Sequence, residues 1–175
     1  MTDEEVRTRS AYLFLACSEG VEQLVSRLLA SLPAPSQAPA MGLERGLKRE
    51  VGLLFRYWTT RQIWERLDDH EADAKQLNLA LLRLFTDAFH LAKDGSGLHY
   101  AELSTPEEEA YELARRIVKV VGVEHQPLLN ELRAEFIPWR RTVVGYTKDA
   151  LELPLDRLVA QIKDWASRLP RQESV

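Results

Sequence analysis

The sequence predicts an all-α fold: a single-domain helical bundle of about six helices, regular or irregular. Three observations predict it. Apolar residues recur at spacings of three and four through most of the chain, the period of a helix face rather than the alternation of a strand. Helix-start signatures stand where those runs begin, most clearly Thr105-Pro106-Glu107-Glu108. Glycine is scarce, 8 in 175 residues, too few for the tight turns of a sheet-rich chain. One domain spans 1–170, long enough to bury its own core, and 171–175 form a polar tail.

The first helix starts after Thr2, where Asp3, Glu4 and Glu5 suit the positive end of the helix dipole. It runs through Leu13, Phe14 and Cys17, breaks or continues at Gly20, and carries on through Val21, Leu24, Val25, Leu28 and Leu29. Residues 33–40 hold three prolines and form a Pro/Ala-rich linker, since no helix survives that density. The second helix covers about Met41 to Asp69. Val51, Leu54, Phe55 and Trp58 share one side of it; Leu53, Tyr57, Ile63, Trp64 and Leu67 share nearly the opposite side. Two stripes predict a central helix packed on both sides, or one kinked near Thr59–Thr60, with Trp58 and Trp64 both buried.

A third helix follows the acidic run 68–73 and reaches about Lys93, where Gly95 and Gly97 end it. Its stripe is Leu77, Leu81, Leu84, Ala88 and Leu91, widened by Phe85, Phe89 and Ala92. The fourth helix is capped by Thr105, takes Pro106 in its first turn, closes a capping box with Glu108 and stops at Gly122. A fifth begins near Pro127 and meets Pro138; residues 138–150 read as a helical turn or a short extended segment. The last helix runs from about Pro154 to Leu169, with Leu155, Leu158, Val159, Ile162 and Trp165 on one face.

Composition narrows the function classes. The formal net charge is −4 and the pI near 5.6, which disfavours a constitutive nucleic-acid binder without excluding a local basic patch. Such a patch exists in sequence: residues 45–67 carry six basic side chains against two acidic ones, with two tryptophans among them. Cys17 is the only cysteine, so no intramolecular disulfide forms, and its apolar neighbours predict a buried small side chain. The first residues lack the basic start and apolar stretch of a secretion signal, and no apolar run approaches the ~20 residues of a membrane span. The expectation is a cytoplasmic protein with no membrane partner.

Chemistry-bearing motifs are few. The four histidines form no Glu-x-x-His or His-x-x-x-His pair, and Asp87-x-x-His90 occurs once, so no metal and no cofactor is expected. Glycine-rich phosphate loops and nucleophile elbows are missing from the sequence. On the polar face of the third helix Gln76, Arg83, Asp87, His90 and Asp94 lie together. Arg83 and His90 bound the segment RLFTDAFH, and their spacing resembles the Arg/His motif of HEPN-type ribonucleases. That resemblance implies His90 as a base on a ribose 2′-hydroxyl and Arg83 as the holder of the phosphate. It covers eight residues, and Leu84 departs from the family's polar residue. Read on their own, Arg83 and His90 are two solvated side chains.

The binding candidates are Arg56, Arg61, Trp64, Trp139, Arg140 and Arg141, because aromatics between arginines can stack bases while guanidinium groups hold phosphates. The arginines spread around the helix rather than along one side, so core or protein interface is the leading reading of the aromatics. The functional expectation is a non-enzymatic protein–protein interaction or regulatory module that self-associates as a homo-oligomer, on the strength of the two-faced helix and the leucine stripe. The alternative is a nucleic-acid-directed protein, either a single-strand binder or a HEPN-like ribonuclease.

Overall fold

Six helices account for 91% of the residues described by the computed structural model, and no strand occurs among them. The described residues are 1–31, 40–91, 100, 103, 105–121 and 125–168. The tail over 171–175, the glycine stops at 95, 97 and 122 and all of the expected linker over 33–40 but its last residue lie outside them; Ala40 is already the first residue of the second helix. The helices are α1 (Asp3–Ser31), α2 (Ala40–Arg66), α3 (Glu71–Phe89), α4 (Pro106–Val121), α5 (His125–Glu152) and α6 (Leu155–Arg168).

Local chemistry sets the clearest boundaries. At α1, the Thr2 amide donates to Glu5 at 2.8 Å and the Glu5 amide donates to Thr2 Oγ1 at 3.1 Å. At α4 the same reciprocal box joins Thr105 and Glu108, both bonds 3.2 Å. Each box satisfies amides that have no partner within the helix.

The packing centre is shared. α2 packs against α1, α3, α4 and α5, while α1 packs against α2, α3, α5 and α6. Leu13, Cys17, Val21, Leu24, Val25 and Leu28 are buried along α1. This helix does not break at Gly20. A Cβ there would stand 2.9 Å from both Phe55 Cε2 and Trp139 Cζ3, so glycine lets two aromatic rings approach the α1 backbone, which outweighs its helix cost of about 1 kcal/mol.

In α2 the first stripe is buried as expected, and Leu53 and Ile63 are buried on the other side. Trp64 overturns the expectation for its position: it is 39% exposed and stands two residues before the end of α2, which falls at Arg66 rather than Asp69.

Two further elements differ from expectation. α3 stops at Phe89, where His90 takes a left-handed conformation (φ 52°, ψ 44°), the backbone usually reserved for a glycine after a helix. Its buried line is Ala74, Leu77, Leu81 and Phe85, whereas Leu84 is half-buried and Ala88 exposed. Residues 138–150 are helical, since α5 runs unbroken through Pro138. The Pro138 side is exposed, and the missing amide bond is offset by packing on α1, α2 and α4. The hinge between α5 and α6 is held by Arg9 of α1, whose Nη1 donates to the carbonyls of Ala150 (2.8 Å) and Leu153 (3.0 Å).

Candidate functional sites

Clefts open between the helices on the surface of the described residues. The first lies between the start of α1 and the middle of α3. Val6, Ala11, Ala80 and Leu84 give it an apolar floor, and its volume is about 470 Å³. Asp3, Arg7, Arg83 and Asp87 stand along its margin. Leu79, 49% exposed, borders it from α3.

Arg83 therefore faces this groove, and His90 does not. His90 lines a second cleft, about 370 Å³, with Arg45, Lys48 and Arg49 of α2 and Glu22 of α1. Helix α3 ends one residue before His90, and the left-handed turn carries its side chain off the face that holds Arg83. The helical register that placed the pair two turns apart on one side is thus broken at its last residue. Lys48 in the second cleft is held by Glu22 (3.0 Å) and Glu44 (3.1 Å), contacts that raise its pKa above the ordinary lysine value.

The third cleft, about 350 Å³, lies where α2, α4 and α5 meet and is lined by Gln62, Pro106, Ile137, Arg140, Arg141 and Val144. Ile137 is 53% exposed. Behind Arg140 sits a buried polar cluster. Trp58 Nε1–H donates to Glu109 Oε2 at 2.8 Å. Arg140 Nη2 approaches Glu109 Oε1 at 3.6 Å, too long for a hydrogen bond, so this oxygen has no hydrogen-bond partner among the described residues. Further along α2, the Arg116 guanidinium from α4 meets buried Glu50 at 2.6 Å. Tyr100 stacks on Tyr57 with ring centres 5.7 Å apart, and burial raises its phenol well above the ordinary value.

Comparison with known proteins finds no matching family model, no similar curated protein and no similar solved structure. Function must be argued from these residues alone.

The basic and aromatic candidates separate by environment. Arg61 donates to Tyr57 (3.1 Å) and Glu65 (3.2 Å), which raises its pKa, and Arg140 leans on Glu109. Arg56 is half-buried with no ion-pair partner among the described residues, and burial lowers its pKa. Arg141 is exposed and unpaired among them. Trp139 is core: 6% exposed, against Phe55 at 5.8 Å, with its indole N–H on Glu135 at 3.1 Å. Trp64 alone of the two tryptophans here reaches solvent. Cys17 is fully buried and its thiol is pushed up by burial, which makes it inert. No cluster of three metal-ligating side chains occurs among the described residues, and no described helix is long and apolar enough to cross a membrane.

Glu50 and Glu109 were not among the sequence candidates. Their register could have found them. Glu109 stands four residues before Leu113 and Glu50 four before Leu54, both on buried stripes. Burial pushes the Glu109 carboxyl up from its ordinary value of 4.5, against the Trp58 hydrogen bond and the Arg140 and Arg61 charges. A carboxyl raised in the folded state holds its proton more tightly there than in the unfolded chain. Its stability cost is therefore present above the folded pKa and vanishes as pH falls below the unfolded one. Glu109→Gln is expected to raise the urea midpoint at neutral pH, with the gain shrinking as pH falls toward 4.5. Equal midpoints for the two proteins at neutral pH would contradict this.

Proposed function

We propose that the protein is a non-enzymatic interaction module that self-associates through the outer face of α3 and the groove beside it. The observation that carries this reading is the distribution of leucines around α3. Leu77 and Leu81 turn into the bundle, yet Leu79 is 49% exposed and Leu82 and Leu84 are half-buried. A helix apolar on both sides is normally covered on both, while α3 packs chiefly on α1 and α2 among the described residues.

A second copy suits this face by charge. The groove margin carries one acid and one base on each helix: Asp3 and Arg7 on α1, Arg83 and Asp87 on α3. None has an ion-pair partner among the described residues. A two-fold interface sets each residue of a pair against the other's counterpart, so Arg83 of one copy can meet Asp87 of the next and the reverse. The nucleic-acid reading draws less support, because Arg61 is engaged with Tyr57 and Glu65 and Trp139 is buried in the core, where no base can stack on it.

Sedimentation velocity across the micromolar range tests the reading. A dimer is expected for the natural sequence and a monomer for Leu79→Glu, with unchanged helical circular dichroism. Arg83→Glu should weaken the dimer, and adding Asp87→Arg should restore it. A monomer at every concentration up to about 100 μM, where a weak dimer of Kd near 10 μM would be populated, overturns it.

A further inference from the structure

We propose that the α2–α4–α5 cleft binds an oxyanion carried on a short apolar body, with Arg140 and Arg141 holding the oxyanion and Glu109 taking up a proton as it binds. The cleft is independent of the face assigned to self-association.

Its lining divides by chemistry. Ile137, Val144 and Pro106 are apolar, and Gln62 supplies an amide. Arg140 and Arg141 are consecutive on α5 and both line the cleft. Two guanidinium groups beside an apolar wall suit a carboxylate or sulfonate that carries a hydrocarbon group, since guanidinium pairs with such oxyanions through two parallel hydrogen bonds. A volume of about 350 Å³ lies at the small end of ligand pockets.

Arg141 has no protein partner among the described residues. Arg140 is only loosely engaged: 29% exposed, it stands 3.6 Å from an oxygen of Glu109 that no donor reaches. An incoming oxyanion offers Arg140 a shorter contact than it has. Glu109 would then keep the Trp58 N–H and the more distant charge of Arg61 from α2, opposed by Glu108 on α4, with the neutral Tyr100 hydroxyl also near. A buried carboxylate stripped of its nearest cation takes a proton. That proton comes from solvent and converts the Glu109 carboxylate to the acid. Binding and proton uptake are linked, so affinity rises as pH falls.

The probes are benzoate and benzenesulfonate, both fully ionised from about pH 6 to 8 so that any proton taken up belongs to the protein. Calorimetric titration is done in two buffers of different ionisation enthalpy. Saturable binding is expected, with heats that differ between buffers by the uptake of a proton and with tighter binding at the lower pH. Arg140→Gln or Arg141→Gln should weaken it about tenfold or more. Inorganic sulfate should bind more weakly than benzenesulfonate, and Ile137→Ser should narrow that gap. Glu109→Gln should bind with no proton uptake and no dependence on pH. Absence of saturable binding by either probe, or binding indifferent to both arginine variants, overturns the site. Equal heats in the two buffers for the natural sequence overturn the role of Glu109 without recourse to any variant.

Discussion

Arg116→Ala is expected to cost about 3–5 kcal/mol of folding stability, the loss that follows when a buried charge is left without its partner. The Glu50 side chain is 4% exposed and lies 2.6 Å from the Arg116 guanidinium, itself 16% exposed. Little water reaches the pair to replace either half. The intact pair is worth much less than that figure, because removing both charges from water is costly in the first place. The contrast gives the sharper test. Replacing both together, Glu50→Leu with Arg116→Met, should fall close to the natural protein in urea denaturation. A loss of under about 1 kcal/mol for Arg116→Ala alone would mean that the pair is solvated rather than buried.

Trp139→Ala is expected to cost a similar amount, about 3–5 kcal/mol, through a cavity rather than a charge. The indole fills the space between α1, α2 and α5, against Phe55 and over the Cα of Gly20. The cluster extends from Phe55 to Trp58 at 5.3 Å and on to Phe136 at 5.4 Å. Arg27 lies over the outer edge of the Trp139 ring at 5.9 Å while its Nη1 donates to Glu135 at 2.8 Å. Truncation removes the filling and leaves Arg27 and Glu135 paired at the surface. Trp139→Phe should recover more than half the loss. Thermal unfolding checks both: with roughly 2–4 °C for each kcal/mol at this chain length, Trp139→Ala should melt about 10 °C lower. An unchanged midpoint would place Trp139 outside the core.

How much of this was visible in the residues depended on range. The capping box at Thr105 needs only four consecutive residues and forms at the expected position, while at Thr2 the helix start was expected and the reciprocal box with Glu5 was not. Helix faces were also legible, since Val51, Leu54, Phe55 and Trp58 share a side by angle and all are buried. Angle does not say which helix lies opposite. Trp64 sits on the second stripe of α2 but reaches solvent, since nothing local records that the packing thins before Arg66. Pro138 misleads for the same reason: its local cost is real, but α1, α2 and α4 hold the helix on either side. Among the candidate sites, the cleft with Arg140 and Arg141 was half legible. The arginines were evident, whereas Glu109 was hidden in an acidic run that looks solvated until its register against Leu113 is counted. The Arg83 and His90 pair failed on one residue, where a left-handed backbone ended the helix.

The central position of α1 has a consequence for the order in which the chain is made. α1 leaves the ribosome before all four of its neighbours, and two of them, α5 and α6, follow it only after α2, α3 and α4. Tyr12 meets Trp165 with ring centres 5.1 Å apart, and Arg9 caps the carbonyl of Leu153 from 144 residues away. The apolar stripe from Leu13 to Leu28 therefore waits through most of translation, covered only in part by α2 and α3. At about 5–20 residues per second that interval lasts on the order of 10 s. The core around α1 is complete only once α5 and α6 are in place.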